Sequence, residues 1–139
     1  MIIYLDENLP PYFARGFKEL QGPSTSKRAK DFVEIKYLPD DFGRGAKDEE
    51  WIPKVGKLQA CVITKDLNIH CRKHEMELYK AHKLGMFFLR PKSKKQGMSI
   101  WDMVEALAKN WPTIIERMQN ETRPFAYEVR VDKGLVPIG

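Results

Sequence analysis

The runs Met1–Leu5, Ala60–Thr64 and Met86–Leu89 are apolar at almost every position. A strand with one face in water alternates apolar and polar residues. One that is apolar at successive positions must be covered on both faces. Between the first two runs, apolar residues recur at helical spacing: Leu9, Phe13, Phe17 and Leu20, then Trp51, Ile52, Val55 and Leu58. Strands alternating with helices predict an α/β fold of three layers, a mainly parallel central sheet flanked by helices. A chain of 139 residues is expected to form one domain around a single core.

Met1–Leu5 reads as a central strand. Asn8 reads as the cap of a first helix that accepts Pro10 and Pro11 only in its first turn and runs to Leu20. Val33–Leu38 reads as a second strand stopped by Pro39, with a polar loop over Asp40–Ala46. Asp48 reads as the N-cap of a second helix, with Glu49 and Glu50 favoured by the dipole of its first turn. Pro53 and Gly56 imply that this helix is short or kinked. A third helix is expected over about Arg72–Leu84, stopped by Gly85. Ser99 and Asp102 form a variant capping box for a fourth, which Pro112 is expected to kink or split. Phe125–Val131 alternates like an edge strand.

The acidic residues follow this frame. Asp6 ends the first strand, Asp66 lies just past the run Ala60–Thr64, and Asp48 opens the helix between them. Right-handed crossovers bring all three to one sheet edge, the edge at which open α/β sheets hold ligands. Carboxylates gathered there repel one another unless a cation intervenes. A hard ion such as Mg²⁺ suits oxygen ligands, polarises phosphate and activates water. Glu7 and Glu49 adjoin these acids as second ligands or water-positioning bases. Each acid also suits a structural post, Asp48 as a cap and Asp66 as a turn former.

Net charge is +5, unevenly spread: Arg72–Lys95 holds eight Lys/Arg against Glu75 and Glu77. Arg72, Lys73, Arg90, Lys92, Lys94 and Lys95 suit an RNA backbone, with the last four equally readable as a solvated basic loop. Thr64 reads either as a partner of carboxylate, water or phosphate or as a β-branched strand residue, and Lys65 as a phosphate contact or an outward-alternating residue. Two cysteines, Cys61 and Cys71, make no disulfide framework and agree with a reducing cytoplasm. No apolar run reaches spanning length and no basic-then-apolar leader opens the chain, which argues against export or membrane insertion. His70, Cys71 and His74 lack the second ligand pair of structural zinc. No nucleophile motif and no glycine-rich phosphate loop is visible. Trp101 and Trp111 read as core or interface residues rather than as a base-stacking platform.

Ile3-Tyr4-Leu5-Asp6-Glu7-Asn8-Leu9-Pro10, Lys47-Asp48-Glu49-Glu50-Trp51-Ile52, Val62-Ile63-Thr64-Lys65-Asp66, and the stretch from Asn68-Ile69 through His74-Glu75 to Met86-Phe87-Phe88-Leu89 resemble the PIN-like nucleases. The likeness is strongest to the compact relatives of VapC-type toxins. It covers about residues 1–90 and leaves 98–139 as a C-terminal helix and edge-strand extension. The resemblance implies a PIN-like fold and an Mg²⁺- or Mn²⁺-dependent endoribonuclease. It also implies RNA as substrate and a toxin role with a cognate antitoxin protein. Asp6 matches the family's first-strand acid, Asp48 the acid opening a central helix, and Asp66 the acid of its Thr-x-Asp motif. The family's further mid-chain acid, usually Glu, has no clear counterpart; Glu7, Asp41 and Glu49 are the residues placed to compensate. The C-terminal extension either continues the sheet or offers a surface for a homodimer or an antitoxin. The rival expectation is a catalytically inactive module of the same fold that binds RNA or a protein partner.

Overall fold

The computed structural model describes residues 1–22, 33–65, 73–93 and 97–138. Strands β1 (Ile2–Leu5), β2 (Glu34–Tyr37), β3 (Cys61–Lys65), β4 (Gly85–Leu89), β5 (Phe125–Arg130) and β6 (Gly134–Pro137) form one sheet in the order β2-β1-β3-β4-β5-β6. All neighbours pair parallel except β5 and β6, which pair antiparallel. Helices α1 (Pro11–Leu20), α2 (Leu38–Phe42), α3 (Asp48–Lys57), α4 (Lys73–Ala81) and α5 (Ile100–Asn120) complete the chain.

Side-chain alternation along the parallel strands divides the core in two. Ile3, Leu5, Cys61, Ile63, Phe87 and Leu89 pack on one face with Phe13 and Phe17 of α1 and Met103, Leu107 and Ile114 of α5. Tyr4, Val62, Met86 and Phe88 pack on the other with Trp51, Ile52 and Val55 of α3 and Tyr79 of α4. These are the three layers that the unbroken apolar runs require.

Several local expectations are corrected. Asn8 is not a cap: α1 starts after Pro10, with Pro11 in its first turn and no side-chain cap bond. Residues 38–42 form the short helix α2 rather than strand and loop, because Pro39 occupies a first-turn position. Asp48 is the first residue of α3, whose N-cap is Lys47. Leu20 and Leu58 stand exposed at helix ends. The capping box of Ser99 and Asp102 is present, and α5 continues through Pro112. The carbonyl that Pro112 leaves without an N–H belongs to Ala108, an exposed position where water can serve it. Strand β5 is not an edge strand. It lies between β4 and β6, and β6 is unforeseen because Gly134-Leu135-Val136-Pro137 is short and bounded by Gly and Pro.

Gly56 is in α3 for a packing reason. A Cβ there would stand 2.5 Å from the backbone oxygen of His82, just past α4. Gly16 in α1 has nothing within 4 Å of the same position. Gly16→Ala should therefore stabilise the protein by up to about 1 kcal/mol through helix propensity, whereas Gly56→Ala should destabilise it by about 1–3 kcal/mol through overpacking. Urea unfolding midpoints check this; a Gly56→Ala midpoint at or above that of the wild type would contradict the close approach of α3 and the α4–β4 turn.

Candidate active site

The parallel register sets Leu5 opposite Ile63, and Asp6 extends the ladder by donating its N–H to Ile63 O at 2.9 Å. Asp6 and Thr64 thus emerge side by side at the C-terminal end of the two strands. By alternation they share the face of Tyr4 and Val62, which α3 and α4 cover. Thr64, only 1% exposed, donates its hydroxyl to Asp6 Oδ2 at 2.7 Å. The Glu7 N–H donates to Asp6 Oδ1 at 2.7 Å. Burial pushes the Asp6 carboxyl above its ordinary value of 3.8; Thr64 and the Glu7 N–H oppose that shift, and the negative charges of Asp48 and Glu7 add to it. Asp48 is thus near enough for its charge to act on Asp6.

Asp48 owes its position to α3, which runs back against the strands and so begins at the same edge. Its Oδ1 accepts the indole N–H of Trp51 at 3.1 Å, one turn along the helix, and Trp51 is buried. Glu7 accepts the Gly45 N–H at 2.8 Å, where Gly45 adopts φ +73°. This bond ties the β1–α1 turn to the loop that launches α3. The Tyr37 hydroxyl donates to Leu9 O at 2.9 Å and closes the same turn against β2.

The other expected residues are distributed as follows. Glu49 is exposed on α3 and pairs with His74 of α4 at 3.5 Å; its own backbone N–H, and then His74, hold its carboxyl below the usual range. Asp41 accepts the Tyr4 hydroxyl at 2.6 Å and pairs with Lys36 at 3.2 Å. Its carboxyl is lowered chiefly by the Tyr4 bond, and it is not among the groups whose charge acts on Asp6. Lys65, half-buried at the end of β3, falls by alternation on the α1–α5 face, opposite Asp6. Arg90 forms an ion pair with Glu128, which also faces Arg130 at 3.6 Å, and its side chain is 19% exposed. Lys73 opens α4 and Lys92 follows β4; both are exposed. Asp66 and Arg72, like His70, Cys71, Lys94 and Lys95, lie outside the described residues. Among the described residues no group of three or more His, Cys, Asp or Glu is placed to hold a metal ion. Trp101 is 78% exposed and so is not a core residue, which leaves the interface alternative of the two expected for it. Trp111 packs edge-on to Phe17 at 4.8 Å and donates to Gln21 at 2.8 Å.

A model of the PIN like domain family matches residues 1–91. The chain belongs to the PIN-like domain family. Neither a curated protein nor a solved structure matches it. PIN-like domains are generally nucleases, and the matched segment contains β1, α3 and β3, the elements that bring Asp6, Asp48 and Thr64 to one edge. No described helix of this PIN-like chain is long and apolar enough to cross a membrane.

Two partners went unrecognised in the sequence. Asn8 hydrogen-bonds Thr64, and Trp51 holds Asp48. The first carries no local sign, since its partner is far along the chain. The second was visible as an aromatic three residues after an acid, which places both on one side of a helix.

A raised carboxyl pKa means that the fold disfavours the charged form. The resulting destabilisation is complete above the raised folded value and absent below the unfolded value, near 3.8. Asp6→Asn should therefore unfold at a higher temperature than the wild type at pH 7 in EDTA, and the gap should close as the pH falls below about 4. Circular-dichroism melts across that range decide it; a variant that melts lower at neutral pH would show that Asp6 is a net structural contributor.

Proposed function

We propose that this PIN-like domain hydrolyses RNA phosphodiester bonds, with Mg²⁺ or Mn²⁺ held by Asp6 and Asp48, joined by Asp66. The observation that carries the proposal is the half-buried Asp6 carboxyl, fixed at both oxygens and acted on by the charge of Asp48 at the sheet edge. The donor set fits a hard dication. It is made of oxygen alone, and burial already disfavours the bare Asp6 anion. Each Asp6 oxygen accepts one hydrogen bond and keeps a further lone pair; Asp48 is anchored through Oδ1. A bound dication supplies charge neutralisation at the phosphoryl oxygens and acidifies water. The protein supplies the rest: Asp6 and Asp48 are oriented in advance by Thr64, the Glu7 N–H and Trp51. Lys73 and Lys92, exposed at the C-terminal edge, would hold the RNA backbone without choosing its sequence. Glu7 acts as a strap to Gly45 rather than as a base, and Glu49 supports His74 beside the site.

The compact toxin likeness extends the proposal to a toxin restrained by a cognate antitoxin. Induced expression would then arrest growth with the wild type and not with Asp6→Asn. A second reading, an inactive module binding RNA or protein, is favoured by one observation: both acids already have protein donors, as structural carboxylates do.

Cleavage of a mixed-sequence RNA in Mn²⁺ separates the two. Asp6→Asn and Asp48→Asn should each lower the rate by more than the about 10–100-fold that losing a supporting residue costs, and EDTA should abolish it. Wild-type rates in both folded variants would refute the assignment.

A further inference from the structure

We propose that Asn8 is a positioning residue that sets the direction of the Thr64 hydroxyl and thereby holds Asp6 in the orientation that accepts a dication; this rests on the metal-binding reading of Asp6. The Thr64 hydroxyl has one proton and two lone pairs. Asp6 Oδ2 lies 2.7 Å from Thr64 Oγ1, Asn8 Nδ2 2.9 Å and Asn8 Oδ1 3.2 Å. Asn8 Oδ1 also lies 3.4 Å from the Lys65 N–H.

One assignment of donors satisfies all four groups. Asn8 Nδ2 donates to Thr64, Thr64 donates to Asp6, and Asn8 Oδ1 takes the Lys65 N–H. With the amide reversed, its NH₂ would confront the Lys65 N–H, donor against donor. Its oxygen would then compete with Asp6 for the single Thr64 proton. Asn8 is not needed as a cap, since α1 begins after Pro10. Its side chain instead bridges the ends of β1 and β3, and the chain it grips at Lys65 leads directly to Asp66.

The consequence for Asp6 is directional. A Thr64 hydroxyl with its lone pair occupied by Asn8 points its proton at Oδ2 and fixes the carboxylate plane together with the Glu7 N–H. Without Asn8 the hydroxyl is free to rotate towards Lys65 O, 3.4 Å away. Asp6 would then lose one of its two anchors.

The test is calorimetric titration of the EDTA-stripped full chain with Mn²⁺. It compares the wild type, Asn8→Ala, Thr64→Val and the double variant, each checked for folding by urea unfolding. Asn8→Ala and Thr64→Val should each weaken Mn²⁺ binding by about 10–100-fold, the usual effect of losing an outer partner. The double variant should bind no more weakly than Thr64→Val alone, because Asn8 acts through Thr64. Thr64→Ser should keep near wild-type affinity. Where Asn8→Ala does not fold, Asn8→Ser, turn-compatible but too short to reach Thr64, gives the same comparison. Wild-type affinity in the Asn8 variant, or losses that multiply in the double variant, overturns the proposal while leaving Asp6 as a ligand. No saturable Mn²⁺ binding by the wild type, or unchanged binding by Asp6→Asn, overturns the metal reading and this inference with it.

Discussion

Leu5 lies opposite Ile63 in the parallel pairing of β1 and β3, and Asp6 adds the next rung by donating to Ile63 O. The site depends on this register. A slip of one residue would turn Asp6 to the other face of the sheet, away from α3, and would carry Ile3 and Leu5 out of the layer they share with Phe13 and Phe17. The burial that fixes the register is therefore the same burial that aims Asp6. With both faces covered, neither strand can slide without exposing apolar surface or burying a charge.

Asp6 sits at the boundary between that core and water. Burial raises its carboxyl, and Asp48 raises it further. The fold tolerates this because the neighbouring donors are themselves immobile. Thr64 and Trp51 are both almost fully buried, and Glu7 is tied to Gly45. A carboxylate that is costly to leave bare, yet held in one orientation, is more use to a cation than one that relaxes into solvent. Stability and the proposed chemistry oppose each other at this one residue, a common arrangement at functional sites.

The sheet was largely legible in the sequence because its central strands are apolar on both sides, a pattern that needs no partner to be recognised. Asp6 and Asp48 were legible for the same reason: each marks the point where such an element ends or begins. What escaped was set by groups distant in the chain. Asn8 looks like a helix cap until Thr64 is brought to it, and Asp41 looks available until Tyr4 and Lys36 take it. Pro112 looks like a break, but its missing hydrogen bond falls on the water side of α5, which only packing reveals. Strand β6 has too few residues to carry a period of its own and exists through its pairing with β5. Arg90 reads as part of a basic patch, whereas Glu128 neutralises it.

Crystals of the full chain soaked in Mn²⁺, with anomalous diffraction to locate the ion, test the central claim most directly. The account predicts an anomalous peak at coordination distance, about 2.0–2.3 Å, from oxygens of both Asp6 and Asp48. Ordered crystals with no peak there, or with Asp6 and Asp48 too far apart to share an ion, would contradict it.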